Sequence, residues 1–373
     1  MVEISGFAHP RFAAVRQAFA ANFEAGQELG ARFALVEAGE LVVDLWAGFA
    51  DRAQTRPFAD DTLTPVFSTT KLLASLLIAR AVEAGRLAYD QRVAEVWPEF
   101  AAAGKAAITV EQLMSHQAGL PGFIEPMEPS LWFDWDAICA RLAAMAPLWP
   151  PGTASGYHPI TFGYLAGEVF RRVEGRTMGA ALREDLAAPF GLDLWIGLPD
   201  SEHARCAEMQ RPGAMADFGE INEATRAAFL TSWSSAGGRG RDDWRRMEIP
   251  SANGHATAPA LARLMGALAA GGWLDGAQIL SPALIAEATR RRISGPDLVL
   301  PFTMSWGAGF MRNETLKVWG PGEATFGHSG WGGSCAFADP QRKLAGAYVM
   351  NRQSPDLIGD TRARRLIEAA YAA

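Results

Sequence analysis

Apolar residues near the start of the chain recur first at helical spacing and then at strand spacing. Four of them between Phe12 and Phe23 stand three or four positions apart after Pro10, which predicts an amphipathic helix. β-rich runs at 33–37 and 41–46 flank a short glycine-containing turn, and this arrangement predicts a hairpin.

The far end of the chain repeats these signals in the opposite order. β-rich runs at 335–338 and 344–350 predict a second hairpin, and helical periodicity follows over 361–371. The middle, 86–263, is rich in helical patterns, Trp, Pro and Gly and has no sustained strand alternation. The pattern therefore predicts an α/β (α+β) fold in which both ends of the chain build a sheet domain.

The domain boundaries follow from this pattern. We expect residues 1–85 and 264–373 to form the α/β sheet domain and residues 86–263 to form a mostly helical domain. A chain of 373 residues with 49% hydrophobic residues is long enough for a large core and for more than one lobe.

Composition narrows the classes of function. The formal net charge of -7 disfavours nonspecific binding to nucleic acid or to anionic membranes. Cys139, Cys206 and Cys335 lie far apart without a CxxC motif, and the six histidines show no ligand spacing, so we expect no disulfide, metal or cofactor. Neither a secretory signal nor an apolar run of about 18 residues is visible, so we expect a cytoplasmic protein without a membrane span.

The first chemical signal is a serine and a lysine at the start of an apolar helix. Ser68 and Lys71 are one helical turn apart, and the segment that follows is apolar on every side, which indicates a buried helix. Positive potential at the helix N-terminus favours an alkoxide, and loss of solvation lowers the pKa of a lysine, which could then accept the serine proton. The alternative is a capped helix whose lysine reaches solvent.

The second signal is Tyr157, which follows a rigid loop rich in proline and glycine over 148–156. A phenol beside a lysine can relay protons at neutral pH if its pKa is lowered. A core tyrosine that closes the loop is the alternative, and Tyr164 is interpreted as packing.

The third signal is the glycine-rich run 327–334, which precedes the predicted strand at Cys335. Glycines allow close approach of the backbone to a ligand, and an edge strand here could supply one N–H of an oxyanion hole, with the Ser68 N–H as the other. His328 could bind substrate. A plain glycine turn is the alternative, and Ser329 does not meet the GxSxG frame of a nucleophile elbow.

In this order the three motifs resemble those of the serine β-lactamase and penicillin-binding-protein superfamily, where SxxK is followed by a Tyr- or Ser-centred triplet and a KTG-type strand. Here they read 68–71 (STTK), 157–159 (YHP) and 328–330 (HSG). The tyrosine resembles the class C β-lactamase branch, and the chain is most similar to the family VIII carboxylesterases. The resemblance implies a mostly antiparallel sheet flanked by helices, a smaller all-helical domain and a site in the cleft between them.

The resemblance also implies roles for residues. Ser68 would be the nucleophile, Lys71 the general base and Tyr157 its partner in protonating the leaving alkoxide. The backbones of Ser68 and Trp331 would form the oxyanion hole. Substrate would contact His328, Ser329 and Gly330 of the third motif. Apart from the resemblance, we expect Phe123, Trp306 and Trp331 to form walls of the pocket.

Two departures from class C β-lactamases favour neutral esters over β-lactams. Pro159 stands where those enzymes have asparagine, and it cannot donate a side-chain hydrogen bond to an amide. His328 stands where they have lysine, and a mostly neutral imidazole holds a carboxylate less well.

We therefore expect a serine carboxylesterase acting on small short-chain esters, with weak β-lactamase activity from the shared acylation chemistry. The rival interpretations are a β-lactamase or penicillin-binding-type peptidase, an acyltransferase of the same fold, and a non-catalytic binding protein.

Overall fold

The computed structural model describes residues 2–238 and 240–373. Its strands are β1 (Ile4–Ala8), β2 (Gly30–Glu37), β3 (Glu40–Gly48), β4 (Thr64–Phe67), β5 (Leu194–Trp195), β6 (Gly254–Ala256), β7 (Trp273–Leu274), β8 (Ala277–Gln278), β9 (Ile293–Pro296), β10 (Thr303–Trp306), β11 (Met311–Arg312), β12 (Phe326–Ser329), β13 (Cys335–Asp339) and β14 (Leu344–Met350).

The α-helices are α1 (Ala13–Glu24), α2 (Lys71–Glu83), α3 (Val93–Val96), α4 (Val110–Met114), α5 (Trp135–Ala144), α6 (Thr161–Glu174), α7 (Met178–Leu182), α8 (Glu223–Thr225), α9 (Asp242–Arg246), α10 (Ala258–Ala269), α11 (Pro282–Thr289) and α12 (Thr361–Tyr371). Both predicted hairpins and both predicted terminal helices are present.

Nine strands form one antiparallel sheet in the order β1-β3-β2-β14-β13-β12-β11-β10-β9. β14, from the far end of the chain, pairs with β2 from its start, with Tyr348 opposite Phe33. The sheet is thus built from both ends of the sequence, and the mostly antiparallel fold that the resemblance implied is confirmed.

Alternation along the strands divides the core between the two faces of the sheet. Phe33 and Leu35 pack in one apolar cluster with residues of α1 and α12, whereas Ala34 and Val36 face the cluster that contains α10 and α2. Both faces are covered, so the central strands are apolar at nearly every position. Small residues allow α10 to approach closely, since a Cβ on Gly266 would lie 2.6 Å from a methyl of Val36.

The apolar helix α2 lies between α6 and α7 on one side and β12 of the sheet on the other. Ten of its side chains, from Lys71 to Ala81, are buried, which agrees with a sequence that is apolar on every side. The first turn of α2 therefore lies in the interior, between the helices and the large sheet.

The predicted division into two domains stays a prediction. Its second boundary, 263/264, falls inside α10, a helix that packs against β2, β13 and β14 of the large sheet. A separate three-stranded sheet, β4-β6-β5, joins the strand before Ser68 to two short strands of the middle segment.

Cys139, Cys206 and Cys335 are free thiols, and all three are buried. Among residues 2–238 and 240–373, no helix combines the length and the apolar character needed to cross a lipid bilayer.

Candidate active site

Ser68 lies at a sharp bend between a strand and α2. β4 ends at Phe67, whose φ of 48° is in the left-handed region, and Ser68–Thr70 form a single 3-10 turn before the helix begins. A non-glycine residue in this region costs on the order of 1–3 kcal/mol. The packing around the bend must therefore hold Phe67 in this conformation. The bend leaves Ser68 on the wall of a cavity.

The Lys71 amine lies directly beside this serine. Its Nζ is 3.2 Å from Ser68 Oγ and donates hydrogen bonds to the carbonyls of Pro159 at 2.8 Å and Ser251 at 3.0 Å. The side chain is fully buried, and burial lowers the pKa of Lys71 well below its usual value. Burial thus shifts this amine toward its neutral form, which is the form that could accept the serine proton.

Tyr157 completes the trio predicted from the sequence. The Lys71 Nζ lies 4.7 Å from the centre of the Tyr157 ring. Burial raises the pKa of the Tyr157 hydroxyl, and hydrogen bonding with the Ser68 side chain offsets only part of that increase. The lowered pKa considered for a tyrosine relay is therefore not observed, and the phenol stays protonated at neutral pH, as a proton donor requires.

His158, the middle residue of the second motif, has a structural role. Its Nδ1–H donates to the Gly156 carbonyl at 2.6 Å and its Nε2 accepts from the Leu120 N–H at 2.9 Å, so both ring nitrogens are used. Burial lowers the pKa of His158 to about 3, which keeps the ring neutral. A Cβ on Gly156 would lie 2.4 Å from the Trp149 ring, which explains the glycine before Tyr157.

The glycine-rich third motif lies against the Ser68 turn. A Cβ on Gly330 would be 2.2 Å from the Val66 carbonyl and 2.1 Å from Ser334 Oγ, so only glycine fits. Ser334 Oγ donates to that same carbonyl at 2.8 Å. Within the described ranges, no backbone acceptor takes the N–H of Ser68 or of Trp331, which is what an oxyanion hole requires.

His328 is a neutral imidazole in this setting. Its Nδ1–H donates to the Ser329 carbonyl at 2.7 Å, since a carbonyl can only accept. Burial and the nearby Lys71 lower the pKa of His328 to about 3. The third motif therefore presents no cation to a ligand.

A cavity beside Ser68 encloses about 400 Å³ including its open mouth. Of the predicted site residues, the structure brings six to its wall: Ser68, Tyr157, Trp306, His328, Ser329 and Trp331. The remaining wall is apolar and is made of Phe229, Leu300, Met311, Leu357 and Ile358.

Phe123 lies elsewhere. It packs against Trp132 with ring centres 5.5 Å apart, and it does not line this cavity. Phe229 does line the cavity. The polar and small residues that precede it in the sequence gave no sign of a pocket wall. Asp297, which accepts a hydrogen bond from the Tyr157 N–H at 2.9 Å, was also missed.

The sequence profile of the Beta-lactamase family matches residues 15–371. The chain belongs to the Beta-lactamase family. The chain is also similar to a solved penicillin-binding-protein homologue from Caulobacter crescentus, with 67% identity, a TM-score of 0.98 and 99% of each chain covered.

Two further similar proteins are hydrolases by name. A solved family VIII carboxylesterase is 45% identical, with a TM-score of 0.94 and 99% of each chain covered. The esterase/beta-lactamase LipL of Mycobacterium tuberculosis is 38% identical over 95% of this chain and 84% of its own length. The resemblance predicted from the sequence is confirmed, and the protein is a hydrolase of the esterase/β-lactamase type.

Proposed function

We propose that the protein is a serine carboxylesterase that hydrolyses short-chain esters through an acyl-enzyme on Ser68. This proposal rests on the absence of charge in the cavity wall. With His328 neutral, none of the wall residues in the described part of the chain is charged. A neutral ester brings no charge to be desolvated there, whereas a ligand carboxylate would be buried without a cation.

In the proposed acylation, Lys71 Nζ takes the Ser68 proton while Oγ attacks the ester carbonyl. The backbone N–H groups of Ser68 and Trp331 stabilise the resulting oxyanion. Tyr157 donates its proton to the leaving alkoxide, and the protonated Lys71 restores the proton to Tyr157.

Deacylation repeats these steps with water. Water attacks the acyl carbonyl, its proton passes to the neutral Lys71, and the returning Ser68 oxygen is protonated as the acid leaves. The small cavity, whose apolar lining includes Leu300, Trp306 and Met311, favours short acyl chains.

The test compares p-nitrophenyl esters of two, four and ten carbons with nitrocefin. We expect efficient hydrolysis of the two shorter esters, weak nitrocefin turnover and loss of about 10³-fold or more in Ser68→Ala. Intact-protein mass spectrometry after exposure to a fluorophosphonate should show one adduct, mapped to Ser68.

Efficient nitrocefin turnover with poor ester turnover would make a β-lactamase the better assignment. The name of LipL includes both esterase and beta-lactamase, so hydrolysis of the esters and of nitrocefin should be measured side by side. Transfer of the acyl group to an added alcohol in preference to water would indicate an acyltransferase instead.

A further inference from the structure

The backbone around Tyr157 is held at three consecutive N–H groups. Gly156 N–H donates to the His116 carbonyl at 3.0 Å, and His158 N–H donates to His116 Nδ1 at 3.1 Å. Between them, Tyr157 N–H donates to Asp297 Oδ1 at 2.9 Å. The segment is thus fixed on both sides by one histidine and at its centre by one carboxylate.

The Asp297 carboxylate has four donors. Its Oδ1 accepts from the N–H groups of Tyr157, Val299 and Leu300, the last two at 3.0 Å each, and its Oδ2 accepts from the Ser155 hydroxyl at 3.0 Å. Leu300 lines the cavity beside Ser68. One carboxylate therefore ties the loop that carries the tyrosine to the wall of the cavity.

The Tyr157 ring is packed among other rings. It is stacked on Trp306, with ring centres 5.9 Å apart and planes 11° from parallel. The rings of His116 and Phe229 lie 4.9 and 6.4 Å from its centre. These contacts orient the ring, and the backbone that carries it sets how far the hydroxyl lies from Ser68. Misplacement of a reacting group by about 1 Å can cost about 10²-fold in rate.

We propose that Asp297 is a positioning residue that fixes Tyr157 beside Ser68 for proton transfer. This inference rests on the proposed function, since it assigns the tyrosine a part in the reaction. Burial is the main cause of the raised pKa of Tyr157, and the negative charge of Asp297 adds to it, so the phenol stays protonated.

A double-mutant cycle tests the inference. Asp297→Ala should lower kcat for p-nitrophenyl butyrate by about 10- to 100-fold in the wild-type background. The same change in a Tyr157→Phe background should lower the residual kcat by less than about threefold, because no phenol remains to be positioned. Equal losses in both backgrounds would overturn the inference.

The conservative variant separates anchoring from charge. In Asp297→Asn the amide oxygen can still accept from the three N–H groups, and the NH₂ can donate to the Ser155 hydroxyl. We expect kcat to stay within about fivefold of the wild type. A loss as large as that of Asp297→Ala would contradict a role through hydrogen bonds.

Asp339, the last residue of β13, offers a matched control away from the cavity. Its Oδ1 accepts from the N–H groups of Gln341 and Arg342 at 3.0 and 3.2 Å, and its Oδ2 accepts from the Tyr371 hydroxyl at 2.8 Å. Asp339→Ala should lower Tm as Asp297→Ala does, but kcat measured well below Tm should not change. An equal fall in kcat in both variants would reduce Asp297 to a stabilising residue.

The Ser68→Ala variant distinguishes failure of the proposed function from failure of the positioning role of Asp297. Ester turnover that survives Ser68→Ala would refute the proposed function, and the inference with it. Turnover that requires Ser68 but shows additive losses in the cycle would refute the positioning role alone.

Discussion

The Lys71 amine is surrounded by two backbone carbonyls, the Ser68 hydroxyl and the faces of Tyr157 and Phe162. Burial is the cause of its lowered pKa, and no carboxylate in the described part of the chain counters that effect. The neutral amine is therefore favoured in the folded protein. The unfolded chain would protonate the same amine at any pH below about 10.

We predict that Lys71→Met abolishes ester hydrolysis and also changes how stability depends on pH. In the window between the lowered pKa of Lys71 and its unfolded value of about 10.4, the unfolded wild type binds one more proton than the folded form. Wild-type stability relative to the variant should therefore rise as pH rises through that window and fall as pH is lowered. Urea unfolding of both proteins from pH 6 to 10 measures the difference.

Lys105 provides the comparison for this experiment. It is another buried lysine, it donates to the carbonyls of Ala102 and Ala143 at 2.8 and 2.9 Å, and burial lowers its pKa to about 8. Lys105→Met should show the same direction of pH dependence between about 8 and 10.4 while ester turnover is retained. A stability difference that is independent of pH in both variants would contradict this account of burial.

Candidate site residues could be predicted where the proposed chemistry requires groups that are close together in the sequence. Ser68 and Lys71 share one helical turn, so their spacing alone shows that they can meet. Asp297 lies 140 positions from Tyr157 in the sequence, and an aspartate beside a proline fits any turn. Phe123 was wrongly placed at the wall because aromatic character does not reveal which of several apolar clusters a ring joins.

Among the elements, α2 supports the site because it is apolar on every side. Its buried side chains fill the space between α6, α7 and the sheet, and its first turn is thereby fixed where the bend at Phe67 needs support. A defect inside this helix removes packing, but it changes none of the groups that line the cavity.

We predict that Leu73→Ala, at a fully buried position of α2, destabilises the protein by about 2–5 kcal/mol. The partly buried Val82 in the same helix is the control, since Val82→Ala leaves a smaller cavity and should cost less. Chemical denaturation measures both, and kcat per folded molecule should stay close to wild type in each. A loss in Val82→Ala as large as that in Leu73→Ala would contradict the role of α2 as the buried support.

Long elements were predictable and short ones were not. The helices α1 and α12 and the hairpins β2–β3 and β13–β14 have enough residues for a period to show. β5 and β6 contain two and three residues, too few for alternation, and only pairing with β4 makes them strands. The register between β2 and β14 likewise depends on contacts between opposite ends of the chain.

Across the whole molecule, a buried charge cluster joins the start of the chain to its end. Arg362 donates to Asp360 at 2.7 Å and to Glu28 at 3.0 Å, and Tyr348 donates to Glu28. Arg362 also donates to the Gly332 carbonyl at 3.0 Å, next to the proposed oxyanion hole. Two carboxylates share one guanidinium, and burial raises the pKa of Glu28 to about 7.

We predict that Glu28→Gln removes one pH dependence of stability. The folded pKa of Glu28 is raised above its ordinary value of 4.5, so its contribution is complete below about 4.5 and is lost as pH rises through about 7. The shift corresponds to a change on the order of 3 kcal/mol. Unfolding at pH 5 and pH 8 should show wild type losing stability relative to the variant, and an unchanged difference would contradict the raised pKa.

The pairing of β2 with β14 sets the order in which the enzyme can mature during synthesis. Ser68 is synthesised before Ser334, which follows the bonded Val66 by 268 positions and holds the bend. The nascent chain must keep the apolar faces of its first hairpin uncovered until β14 has been synthesised. A chain that stops before β14 lacks the strand that pairs with β2 and the cavity residues Leu357 and Ile358, so we expect it to have no ester hydrolysis.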